Sequence, residues 1–236
     1  MHPLMICSED LRTFSLDVRA VRAVLPLAGD PGGRPELAGV LLTGTHVVAT
    51  DSHVMGVVEI AEPFELAEPV LLPTWAAGML ARSGEDSALV AVDGRSVLVG
   101  YGGELLPLQG MPADLYPDWH RVVPFGGWSR VRASRHHLTG SVRAAPLSTP
   151  LSWSGDRWLH VAATSYVAAD GRGYPFALRL NREDFLRTLQ GGPASVVLEV
   201  WSSDVPLVMR DTLPCGVGER TRLLLPLPEK EGSHVG

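Results

Sequence analysis

An internal repeat constrains the fold of this 236-residue chain more than any other feature of its sequence. Segments of the first half return about 110 residues later, in the same order and with similar residues. The matching pairs are 46–50 (HVVAT) with 160–164 (HVAAT), 70–72 with 178–180, and 88–99 with 196–209. A repeat of this length predicts two domains of similar structure.

Apolar periodicity predicts the order helix, strands, helix, strands. Residues 17–25 place apolar side chains at helical spacing after Ser15 and Asp17, and Pro26 ends the pattern. The predicted helices are 17–25, 75–83, 134–145 and 182–189. The strands predicted in the first copy are 39–42, 46–49, 54–60, 69–72, 88–92 and 96–100. This pattern predicts an α+β fold in which each duplicated domain has an antiparallel sheet on one face and two helices on the other.

Composition places the chain among folded globular proteins, with 45% hydrophobic and 19% charged residues. The longest uncharged apolar run, 69–81, is too short to span a bilayer, and the N-terminus lacks the pattern of a secretory signal. We therefore expect a cytoplasmic protein without membrane contact. Cys7 and Cys215 have no metal-site spacing, so free thiols, no metal and no cofactor are expected.

Charge is distributed unevenly along the sequence. Residues 1–124 contain 7 Arg/Lys and 16 Asp/Glu, whereas residues 125–236 contain 13 and 10, so the halves carry −9 and +3. Two explanations remain open. The first is attraction, in which one half binds the other half of a neighbouring molecule or the basic half binds a polyanion. The second is drift of charge on two solvated surfaces.

Several motifs of the chain occur in an order found in one known family. They are FSL at 14–16, LAGVLL at 37–42, VATDSH at 48–53, VLLPTWAAGML at 70–80, YPDWHRVVP at 116–124 and LLLPL at 223–227. On these motifs the first 124 residues resemble the middle domain of the bacterial β sliding clamp, the β subunit of DNA polymerase III. Residues 125–228 resemble its last domain, and the polar segment 229–236 is expected to be a disordered tail.

The resemblance implies a ring around duplex DNA. Clamps of the family have three such domains per chain and close a ring with six, and the first of the three has no counterpart here. A protomer of two domains then implies a head-to-tail homotrimer, with sheets outside and the two helices of each domain facing the bore. Attraction between the acidic half of one protomer and the basic half of the next would favour that order.

The resemblance also implies a hydrophobic groove for short peptides of DNA polymerase and the clamp loader. Carried over by motif position, the groove residues are Leu37, Thr50, Ser52, His53, Val54, Met55, Pro124, Leu225, Pro226 and Leu227. The sequence departs from the family in two places: the usual ATDGHRL reads ATDSHVM, and Pro228 stands where the tail has arginine. For Asp51 we favour the alternative role of a turn residue that bonds to the backbone nearby.

A sliding clamp must hold DNA through phosphates without reading bases. The candidates for sequence-independent contact with double-stranded DNA are arginines of the four predicted helices: Arg19, Arg22, Arg82, Arg135, Arg143, Arg182 and Arg187.

Two other classes of function are alternatives to a clamp. An enzyme would need a catalytic or metal-binding motif, but His46, Asp51 and His53, or His136 and His137, lack the spacing of a metal site, so none is expected. The second alternative is a clamp-like accessory protein that binds peptide motifs without encircling DNA.

Overall fold

The computed structural model describes residues 12–101, 103–124, 127–163, 165–213 and 217–227. Cys7, Cys215 and the predicted tail 229–236 therefore lie outside the described residues. The chain divides into two compact units. The first comprises the described residues of Met1–Asp118 and Leu213–Arg220, and the second those of Trp119–Thr212 and Thr221–Gly236.

The first unit contains eight strands and two α-helices. In chain order these are β1 (Arg12–Asp17), α1 (Val18–Val24), β2 (Gly39–Leu42), β3 (His46–Thr50), β4 (Val54–Glu59), β5 (Val70–Pro73), α2 (Thr74–Arg82), β6 (Ser87–Asp93), β7 (Ser96–Tyr101) and β8 (Glu104–Gln109). The strands pair in the orders β1-β6-β7-β8 and β4-β3-β2-β5. Neighbouring strands within each order run antiparallel.

The second unit repeats this plan. Its elements are β9 (Ser129–Ser134), α3 (Arg135–Ala144), β10 (Ser148–Trp153), β11 (Trp158–Val161), β12 (Ser165–Arg172), β13 (Phe176–Asn181), α4 (Arg182–Thr188), β14 (Ser195–Val200), β15 (Leu207–Leu213) and β16 (Gly218–Leu224). The last residue of β15 and the first three of β16 fall in the segment assigned above to the first unit. The strand orders are β9-β14-β15-β16 and β13-β10-β11-β12, and β12 also pairs with β9. Element by element the two units correspond, so the predicted duplication and the predicted α+β class are confirmed.

Three of the four described α-helices, α1, α3 and α4, begin at a residue whose side chain caps the helix. The Asp17 carboxylate accepts a hydrogen bond from the Arg19 backbone N–H at 2.9 Å and so caps α1. The Ser134 and Asn181 side chains cap α3 and α4 in the same way. Each helix buries one stripe, represented in α1 by Val21 and in α3 by Leu138, neither of which is exposed. Among the described residues, no helix is long and apolar enough to cross a membrane.

Candidate functional site

The polar turn between β3 and β4 is closed by its own side chains. The Asp51 carboxylate accepts hydrogen bonds from the backbone N–H groups of His53 at 2.8 Å and Val54 at 2.9 Å. The Thr50 hydroxyl donates to the carbonyl of Val54 at 2.7 Å and accepts from the N–H of Ser52 at 3.1 Å. Asp51 therefore has the structural role that we favoured, and Thr50 shares it.

Ser52 has a backbone conformation that is uncommon for a residue with a side chain. Its φ angle is +83°, in the left-handed region that glycine adopts most readily. The hydrogen bond from the Ser52 N–H to Thr50 helps to hold this conformation.

Exposure separates the predicted groove residues of the first unit into two groups. Leu37 and Val54 are each 2% exposed, Met55 is 5% exposed and Thr50 is also buried. Ser52 is half-buried and His53 is exposed. The turn therefore offers a polar edge at Ser52 and His53, while the predicted apolar groove residues expose little surface.

Tyr116 is buried near this turn. It begins the sequence motif at 116–124 but was not among the predicted groove residues. Its side chain is 8% exposed, and its hydroxyl lies 3.5 Å from the carbonyl oxygen of Val48 on β3. Burial raises the pKa of the Tyr116 hydroxyl far above its usual value, and a hydrogen bond with the backbone of Thr50 lowers it in smaller part. Tyr116 therefore supports the end of β3 from which the turn projects.

The second unit carries the remaining predicted groove residues. Pro124 is half-buried, and its carbonyl oxygen accepts from the guanidinium of Arg210 at 3.4 Å. Leu225 is 41% exposed, whereas Pro226 and Leu227 are half-buried. The Leu227 N–H donates to the carbonyl of Arg179 on β13 at 2.7 Å, which ties the chain after β16 to the sheet of this unit. Leu225 is thus the predicted groove residue with the largest apolar surface to offer.

The helix arginines differ in how far their charge is neutralised. Arg82 and Arg143 are exposed at the ends of α2 and α3, and within the described part of the chain neither has an ion pair or side-chain hydrogen bond. Four other arginines of the set are half-buried and form ion pairs with nearby carboxylates: Arg19 with Asp17, Arg22 with Asp86, Arg182 with Glu183 and Arg187 with Asp184. Arg82 and Arg143 are therefore the cations of this set most available to a phosphate.

The surroundings of Arg135 argue against its predicted contact with DNA. Arg135 is 8% exposed, and its guanidinium donates to the carbonyls of Pro193 at 2.7 Å and Leu189 at 3.0 Å and to the carboxylate of Asp211. Asp211 also accepts from Arg222, which is 1% exposed. The Arg135 guanidinium holds the first turn of α3 inside the second unit and is not available to a phosphate.

The described residues contain no group of three or more His, Cys, Asp or Glu side chains arranged to hold a metal ion. The turn and the helix surfaces therefore present hydrogen-bonding groups, apolar side chains and cations. Such groups can bind peptides and phosphates.

Neither protein-family models nor curated proteins match the sequence. Solved structures of bacterial sliding clamps do match the fold. The DNA polymerase III beta subunit of Thermotoga maritima is 19% identical, with a TM-score of 0.76 over 92% of this chain and 65% of its own. A Pseudomonas aeruginosa clamp is 18% identical, with a TM-score of 0.79 over 92% and 66% of the two chains.

The C. crescentus beta sliding clamp is a third match, with 18% identity, a TM-score of 0.78 and coverage of 96% of this chain. The chain spans about two thirds of the length of these clamps. It therefore has the sliding-clamp fold, in a form with two clamp domains.

Proposed function

We propose that the protein is a DNA sliding clamp, a non-enzymatic processivity factor that encircles duplex DNA. One observation carries the proposal: two successive units of clamp topology account for nearly the whole described chain and superpose on bacterial clamps with TM-scores near 0.76–0.79. The motifs at 48–53 and 116–124, read from the sequence alone, support the same family.

In this proposal the helices line the bore and contact the DNA backbone. Arg82 and Arg143 supply the strongest contacts, because their guanidinium groups lose no carboxylate partner when they approach phosphate. Arg19, Arg22, Arg182 and Arg187 contribute less, since each would first give up an ion pair. Contacts of this kind are independent of sequence, as sliding requires.

We also propose that short apolar peptide motifs of DNA polymerase and the clamp loader bind at the predicted groove residues. Ser52 and His53 would orient the peptide, and Leu225 would contribute apolar surface that is already exposed. Leu37, Val54 and Met55 would take part as the floor, through the small fractions of their side chains that reach solvent.

A ring of six clamp domains requires three protomers of two domains, so a head-to-tail homotrimer is proposed. Light scattering behind a sizing column tests it directly, with an expected mass near three times the 25.3 kDa of the chain. Protein loaded on nicked circular DNA should be retained, and linearisation of the DNA should release it. Retention that is equally strong on linear DNA would rule out topological binding.

A clamp-like accessory protein that does not encircle DNA is the second candidate. The observation that favours it is the pairing of Arg19, Arg22, Arg182 and Arg187 with carboxylates, which leaves the helix surfaces only weakly cationic. A strict monomer at high concentration that still binds a polymerase peptide would support this candidate over the ring.

A further inference from the structure

In the second unit, two adjacent strands expose aromatic and charged side chains on one face. Along β9 the exposed residues alternate with buried ones, as expected for a strand with one solvated face, and β12 ends in three exposed residues, Asp170, Gly171 and Arg172. We call this surface the ribbon face, and its residues are Trp128, Arg130, Arg132, Asp170, Arg172 and Tyr174. Two clefts lie along it, of about 260 Å³ beside the aromatic residues and about 390 Å³ among the charged ones.

Two large aromatic side chains are exposed to solvent at one end of the ribbon face. Trp128 is 67% exposed and Tyr174 is 66% exposed, and their ring centroids lie 6.0 Å apart with planes tilted by 50°. The Ser129 hydroxyl donates to the carbonyl of Tyr174 at 2.5 Å. Gly173 has a φ of +117°, and a Cβ there would collide with the carbonyl oxygen of Trp128. The backbone is therefore built to bring these exposed rings together.

Next to the rings, two arginines face each other across the strands. Arg130 on β9 lies directly opposite Arg172 on β12, and Arg132 lies opposite Asp170. Like charges in opposite positions destabilise a sheet. Glu199 relieves this only in part, because one of its oxygens lies 3.6 Å from Arg130 while the other binds Arg210 at 2.8 Å. Within the described residues, Arg132 and Arg172 have no ion pair, so positive charge remains in the cleft.

We propose that the ribbon face binds single-stranded nucleic acid, with bases stacked on Trp128 and Tyr174 and phosphates held by Arg130 and Arg172. Unpaired bases offer free faces that stack on exposed aromatic rings, and a cationic groove beside the rings follows the backbone. In a duplex those base faces are covered. An acidic peptide would satisfy the arginines but would leave the aromatic pair without a role.

This site differs from the proposed contacts of the helices with duplex DNA, because its residues lie on β9, on β12 and in the residues next to these strands. It does not depend on a closed ring, since all six residues belong to one unit. Failure of the ring proposal would therefore leave this one standing, and the reverse also holds.

The proposal can be tested by fluorescence anisotropy. A labelled oligothymidylate of roughly 16 nucleotides is titrated with the full chain at several salt concentrations. We expect salt-dependent binding by the wild type. The double variant Trp128→Ala/Tyr174→Ala should bind about fivefold to 100-fold more weakly. Arg172→Ala should weaken binding and lower the slope of log K against log salt by about 0.7, the value for one phosphate contact of a single strand.

Matched controls are Trp75→Ala and Arg95→Ala. Trp75 is 53% exposed on α2, and Arg95 is exposed in the β6–β7 turn of the first unit. Both variants should bind the oligonucleotide like the wild type. Trp128→Phe should restore most of the affinity lost in Trp128→Ala, since a phenyl ring still stacks. Circular dichroism of every variant confirms folding, and quenching of wild-type tryptophan fluorescence by the oligonucleotide gives a readout that needs no variant.

Three results would overturn the proposal. The first is absence of both binding and quenching with the wild type at low salt. The second is unchanged affinity in the folded aromatic double variant, which would reduce the ribbon face to a general surface for polyanions such as acidic peptides. The third is a loss of affinity for a duplex of the same length in the aromatic double variant that equals its loss of affinity for the oligothymidylate.

Discussion

Arg222 donates to the carboxylate of Asp211 in the interior of the second unit, where each side chain is only 1% exposed. Arg135 donates to the same carboxylate oxygen from the first turn of α3. One carboxylate thus compensates two guanidinium groups that have little access to water. A charge in that position is costly unless it is paired, so both arginines depend on Asp211.

Asp211→Ala should lower the free energy of unfolding by about 3–5 kcal/mol, because it leaves two buried cations without their shared carboxylate. Urea denaturation followed by circular dichroism measures the change. Asp204→Ala is the matched control, since Asp204 lies in an exposed turn, and it should leave the unfolding midpoint nearly unchanged. Equal midpoints for the two variants would show that the buried pairs contribute little to stability.

Ser52→Gly should raise the free energy of unfolding by about 0.5–1 kcal/mol, because glycine adopts a φ of +83° without the steric cost that a Cβ brings. For a chain of this size the expected rise in melting temperature is roughly 2–4 °C. Ser87→Gly provides the contrast, because Ser87 lies in an exposed strand position where glycine should destabilise. A melting temperature below that of the wild type in Ser52→Gly would mean that the Ser52 side chain stabilises the turn.

The buried Tyr116 predicts a loss of stability in alkali. Since burial raises the pKa of its hydroxyl in the folded state above the ordinary value of 10.0, the unfolded chain ionises first as the pH rises. The stabilisation is therefore complete below pH 10 and is lost progressively above it. Urea midpoints measured between neutral pH and about pH 11 should fall in the wild type and fall less in Tyr116→Phe. Parallel curves would show that Tyr116 does not govern the alkaline limb.

Much of the architecture followed from local sequence signals. The predicted starts of α1 and α3 fell within one residue of the observed ones, because Asp17 and Ser134 are side-chain caps that can be recognised from neighbouring residues alone. The repeat then placed corresponding strands in both units. β9 and β12 were not predicted, since their exposed positions carry arginine and aspartate and, of the eight residues of β12, only Val167 is buried. Period-two alternation was present in SRVRAS but with few strongly apolar residues.

The site was harder to predict, because its properties depend on contacts distant in sequence. Arg135 reads as an exposed helix arginine, yet its partner Asp211 lies 76 residues away. The residues that neighbour Arg135 in the sequence do not predict its pairing with Asp211. The turn at Asp51 could be predicted, since its hydrogen bonds span only two or three residues. The burial of Leu37 and Met55 also depends on packing that a motif does not encode.

The differences among the helix arginines lead to a ranking of their contributions to duplex binding. Arg82→Ala and Arg143→Ala should each lower the slope of log K against log salt by about 0.9, the value for one phosphate contact on duplex DNA. Arg187→Ala is the matched control, because this arginine also lies on a helix but is paired with Asp184 at 3.3 Å. It should change the slope less, since its charge is already offset in the free protein. Equal slopes for the wild type, Arg82→Ala and Arg143→Ala would show that these two residues do not contact the DNA. A larger change of slope in Arg187→Ala than in these two variants would show that ion pairing does not determine which arginines reach the phosphates.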